Sequence, residues 1–164
     1  MAGCGIENVA GRKRSVGDAV KVALVEELER ALVEFVDFIR FIPDDMLDVP
    51  VPGEEGSIRA ILAHVVSSGY GYIHYAADLA GADKPARRFT DPEHLTDIAT
   101  YCAAVLDVAR YAHETLAPVQ DASLEGRFVS RWGQEYDGEQ ILEHAICHPR
   151  RHIRQLRKFF DGEL

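Results

Sequence analysis

"EQILEHAICHPRRHIRQLRKFF", residues 139–160, decides how the chain is read. Ile141, Ala145, His148, His152 and Leu156 recur at spacings of four, three, four and four. On an α-helix these positions form one stripe, so both histidines face the core that the stripe must bury. Side chains at i and i+4 stand about 5–6 Å apart at Cβ, and a zinc–nitrogen bond is about 2.0–2.1 Å long, so His148 and His152 can share one ion. Two buried imidazoles in one layer are costly without such a shared partner. His144 lies about 40° around the helix from His148. It can be a fourth ligand, a group that supports the ligands, or a boundary residue, and the supporting role is preferred. Pro149 cannot donate to the carbonyl of Ala145. The favoured reading is a kinked but continuous helix; the alternative is a second helical segment that starts with His148 as its cap.

Working outward, Asp137 followed three places later by Gln140 makes a capping box that opens this helix. Before it, "VQDASLEGRFVSRWGQEYDG" (119–138) has no helical period and reads as an ordered crossover loop, with at most a short extended piece. Loops of that length often serve function. A first helix is expected from Val16 to about Ile42, on the spacing of Val20, Leu24, Leu28, Ala31, Phe35 and Ile39. "IPDDMLDVPVPGEEG" (42–56) breaks it, and Ser57 caps a second helix that reaches about Ala80. After "GADKPARRFTDPEH" (81–94), Thr90 or Asp91 is expected to cap a third helix with Pro92 in its first turn, running to about Leu116. Four long amphipathic segments without convincing strands predict an all-α fold: a four-helix bundle with a long crossover loop between helices three and four. Residues 16–164 are expected to form one domain, preceded by a flexible tail over 1–15 that carries Arg12, Lys13 and Arg14.

The chain has 164 residues, 47% hydrophobic and 27% charged, enough to bury one core. Its net charge of −9 argues against nucleic acid as a partner, because phosphate binding needs a basic face. No segment approaches the roughly 18 continuous apolar residues of a membrane span, and a cytoplasmic protein is expected. Three cysteines without CxxC spacing, Cys4, Cys102 and Cys147, read as reduced thiols. There is no HExxH, GxSxG or GxxxxGK[ST] motif, and no Glu-x-x-His pair of the kind used by di-iron bundles.

Ile58, Ile61, Leu62 and Val65 define the inner face of the second helix, and His64 is on that face. Taken alone it reads first as a hydrogen-bonded packing residue. If helices two and four face each other across the core, it becomes a third ligand for the ion of His148 and His152. Three neutral imidazoles then leave one to three coordination positions open. His74, His94 and His113 have no HxxxH partner and read as surface or packing residues.

The "ILAHV" of helix two (61–65) and the "EHAICHPRRHIRQL" of helix four (143–156) resemble, in the spacing HxxxHxxxHxxQ, the DinB/YfiT-like superfamily of bacterial four-helix-bundle metal-binding proteins. The resemblance runs over most of the chain from about Val16. It implies a divalent metal, nickel or zinc, held by His64, His148 and His152, and a homodimer. It also implies a small-molecule electrophile as substrate, with transfer to a low-molecular-weight thiol such as bacillithiol or mycothiol, or metal-assisted hydrolysis or isomerisation. Glu143 and His144 are the nearest titratable candidates for proton transfer. Trp132 and Tyr136 either line the site or are ordinary structure, whereas Cys147 points about 100° away from His148. Two rivals predict differently: a non-catalytic metal-binding, sensing or stress-response bundle has a closed coordination sphere, and a degenerate interaction module binds no metal.

Overall fold

The computed structural model describes residues 18–52, 56–89 and 91–163. The expected N-terminal tail, Val16 and Thr90 lie outside the described residues. Four helices carry the fold: α1 (Ala19–Ile39), α2 (Ile58–Ala80), α3 (Ile98–Leu116) and α4 (Gly138–Phe160).

Each helix begins where a side chain can take up the first free amides. Ser57 accepts from the amide of Ala60 at 3.2 Å, and the chain leaves α2 at Gly81 with a left-handed φ of 63°. Asp137 and Gln140 form the expected reciprocal box at the start of α4. Asp18 provides no side-chain cap to α1. The carboxylate of Asp121, far along the chain, accepts from the amides of Val20 and Lys21 at 3.0 and 2.8 Å instead. A cap from another element is invisible to a local reading.

The third helix starts later than expected. Asp91 accepts from the amide of Glu93 at 2.9 Å and caps only a short 3-10 turn, Pro92–His94. Asp97 then forms a full capping box with Thr100, and the amide of Ile98 donates to Asp44 at 2.8 Å. The reciprocal pair holds two amides and the third bond ties the helix start to the preceding loop, so the boundary settles at Asp97. The first helix ends earlier, at Ile39, although Ile42 stays buried in the loop that follows. α4 runs through Pro149 without interruption, so His148 is not the cap of a second segment.

α1 and α2 each pack against both α3 and α4, which gives the order α1, α4, α2, α3 around the bundle. The pairs α1/α2 and α3/α4 therefore sit on diagonals, and the long connections 40–57 and 117–137 span them. α2 and α4 are side-by-side neighbours rather than facing across the core. Leu28, Leu32 and Phe35 of α1, Ile58, Ile61 and Leu62 of α2, Val105 and Val108 of α3, and Ile141, Leu142 and Leu156 of α4 are 1% exposed or less and fill the centre. No described helix is long and apolar enough to cross a membrane.

The crossover contains more structure than a loop: a 3-10 turn at Asp121–Leu124 and an antiparallel hairpin of β1 (Arg127–Val129) and β2 (Glu135–Asp137). Phe128 is paired with Tyr136, and Gly133 closes the turn at a left-handed φ of 85°. The strands are three residues long, too short for alternation to show in the sequence. The hairpin is pinned to α2: Phe128 stacks on Tyr75 at 4.8 Å, and the amide of Arg131 donates to the Tyr75 hydroxyl at 2.9 Å. This places the hairpin tip beside the α2–α4 interface, where the histidines are.

Candidate metal centre

His64 comes from α2, and His148 and His152 from successive turns of the neighbouring α4. Their ring nitrogens form the one group of three or more such donors among the described residues, all within 4.8 Å of one another. The Nε2 atoms of His148 and His64 are 2.9 Å apart, and those of His152 and His148 are 3.3 Å apart. With metal–nitrogen bonds of about 2.1 Å, neighbouring ligands on one ion are separated by about 3.0 Å in octahedral and about 3.4 Å in tetrahedral geometry. The two spacings to His148 fall within or next to that range, so the donor set fits a divalent ion.

The outer nitrogens hold the rings in place. His152 Nδ1 is 2.8 Å from Oε1 of Gln155, an acceptor that fixes the proton on Nδ1 and turns the Nε2 lone pair toward the other two rings. His64 Nδ1 lies 3.3 Å from the Ser68 hydroxyl. Facing Nε2 lone pairs repel one another unless one nitrogen carries a proton or all of them face a cation. Burial, then the neighbouring rings of His152, His64 and His144, and finally Arg151, depress His148 to about 3. The neutral imidazole that metal binding requires is therefore the form present. His148 and His152 are 6% and 0% exposed, whereas His64 is only half-buried and opens outward.

That opening is a cleft of about 670 Å³, floored by His64 and His148 and walled by Tyr72, Tyr75 and Trp132. The volume is typical of small-molecule sites. His144 stands outside the three-nitrogen group. Its ring is stacked 6.3 Å from that of His148 and packs 5.0 Å from Tyr72 and 5.9 Å from Trp132. Its Nδ1 is 3.3 Å from the hydroxyl of Tyr136, which donates to Gln134. Burial, and then Arg151, lower its pKa and keep it neutral.

Glu143 and Cys147 are exposed and line a separate groove that shares only His144 with the cleft. His113 pairs with Glu29 at 2.8 Å on the surface. His74, read as a surface or packing residue, bonds to the Tyr111 hydroxyl at 2.9 Å and lines the far side of the cleft. Sequence reasoning missed Tyr72, Tyr75, Arg131 and Arg151. The two tyrosines lie eight and eleven residues after His64, on the same helical face, and that spacing was there to be used. Nothing local marks the two arginines.

The family model of the DinB superfamily matches residues 13–156. Among solved structures, the chain is similar to YfiT from Bacillus subtilis, described as "a probable metal-dependent hydrolase with an unusual four-helix bundle topology". The two share 16% identity, with 90% of this chain and 89% of that one covered at a TM-score of 0.66. At this identity the likeness establishes the fold. No curated protein matches the sequence.

Proposed function

This chain belongs to the DinB superfamily, and from that premise and the geometry of the cleft we propose that it is a divalent-metal-dependent enzyme acting on a small electrophile. His64, His148 and His152 are the ligands, and nickel or zinc is the ion. The observation that carries the reading is the convergence of three imidazoles, two of which, His64 and His148, floor an open cleft, since a purely structural site closes its coordination sphere. A divalent ion held by these three imidazoles would supply Lewis-acid chemistry, lowering the pKa of a water or thiol.

The protein's own groups act around that site. Gln155 holds His152 in the ligating tautomer, and Ser68 orients His64. His144, neutral and facing the cleft, accepts or returns a proton, and Tyr136 fixes its ring. The aromatic wall of Tyr72, Tyr75 and Trp132 displaces water from the substrate's apolar part. The nucleophile is water in a hydrolase and a low-molecular-weight thiol of the bacillithiol or mycothiol type in an S-transferase; the cleft has room for either. A cytoplasmic homodimer is the accompanying proposal.

The test is elemental analysis of tag-free protein purified without chelators, wild type beside His148→Ala. The expected result is about one nickel or zinc per chain in the wild type and loss of it in the variant. A wild type that retains no metal after soaking with both ions sinks the metalloenzyme reading.

A further inference from the structure

The charge balance of the cleft points to a class of substrate. Two guanidinium groups line it, Arg131 at the hairpin tip and Arg151 on α4. Both act electrostatically on the buried Tyr72 hydroxyl, and Arg151 also acts on His144 and His148. Neither makes an ion pair with any described residue. Arg150, the next residue along from Arg151, is bound to Glu27 at 2.6 Å and Glu34 at 2.9 Å. The one carboxylate among the described cleft residues, Asp78, is taken up by Lys84. A divalent ion at the three nitrogens only increases the positive charge. In a protein of net charge −9, this cleft carries, among the described residues, unbalanced positive charge beside an aromatic wall.

We propose that the cleft takes a small molecule carrying an oxyanion, a carboxylate or a phosphate, on an apolar body. Arg131 and Arg151 hold the oxyanion, and Tyr72, Tyr75 and Trp132 hold the body. Guanidinium is the side chain suited to this task, because its planar fork pairs with two oxygens of one oxyanion. The assignment of this molecule as a substrate rests on the metalloenzyme reading; the oxyanion site itself stands on the two arginines.

Trp132 is the chain's only tryptophan and lies in the cleft, so its fluorescence reports occupancy directly. Benzoate, phenyl phosphate and the neutral benzamide are titrated against the full chain, both metal-free and after loading with zinc, with metal content measured on the same samples. At least one oxyanion is expected to bind about tenfold or more tightly than benzamide, and the stronger of the two identifies the preferred group. Arg131→Gln and Arg151→Gln are each expected to lose about tenfold of that affinity. Arg154→Gln, exposed on α4 outside this cleft, serves as the control and is expected to change little. The proposal is overturned if neither oxyanion binds at millimolar concentration, if benzamide binds equally well, or if Arg154→Gln weakens binding as much as the cleft variants do. Oxyanion binding that depends on the arginines in a chain that holds no metal leaves this inference standing and removes the metalloenzyme reading. Zinc uptake with binding indifferent to both arginines does the reverse.

Discussion

The three-histidine cluster makes the metal-free protein sensitive to mild acid, and the size of the effect follows from His148. Burial, the neighbouring rings and Arg151 place its pKa at about 3 in the folded chain, against 6.5 for the unperturbed side chain. Between those values the unfolded chain binds a proton that the folded chain refuses, so unfolding gains from acid. Stability is intact above 6.5 and falls as the pH drops toward the folded value, with a slope approaching about 1.4 kcal/mol per pH unit. Integrated from about pH 7 to pH 5, this one group removes about 2 kcal/mol, a large fraction of a typical stability of about 5–15 kcal/mol. The assay is urea denaturation of chelator-treated protein at the two pH values, wild type beside His148→Gln, whose amide does not titrate. The wild type should lose about 2 kcal/mol more than the variant over this interval. Carboxylates with lowered pKa values, such as Asp97 and Glu34, titrate further into acid and are common to both proteins. An equal loss in the two proteins would refute the claim that His148 is held neutral by its surroundings.

Two further outcomes test how the site is supported. Gln155→Ala frees Nδ1 of His152 from its 2.8 Å partner and should weaken metal binding by about 10–100-fold, read by competition with a chromophoric chelator; unchanged affinity would show that the tautomer is fixed by other means. A methyl group at Gly138, the first residue of α4, would stand 2.7 Å from Cβ of Leu124 and 2.9 Å from its backbone Cα. Gly138→Ala should therefore destabilise the fold by about 1–3 kcal/mol despite alanine's better helix propensity, a sign that thermal denaturation reads directly.

Much of the fold was legible because the relevant physics is local. The stripe of Ile141, Ala145, His148, His152 and Leu156 is a property of one helix, and all five residues are buried as their spacing requires. The caps at Ser57 and Asp137 are written within four residues and formed as read. Where the partner came from elsewhere, the reading drifted. The start of α1 depends on Asp121, and the start of α3 on a capping box and on Asp44, which outcompeted the Asp91-Pro92 signal.

By itself, the sequence determined four amphipathic helices and two histidines placed to look inward from α4, because periodicity and capping depend on residues a few positions apart. Only the tertiary structure decided that α2 lies beside α4, bringing His64 to 2.9 Å from His148. It alone folded the crossover into a hairpin whose tip sets Trp132 and Arg131 over the same cleft. Those contacts join residues 56 to 84 positions apart in the chain, from Tyr75 with Arg131 to His64 with His148. Such pairings are fixed by which helix faces fill the core together, and no window of the sequence contains both sides.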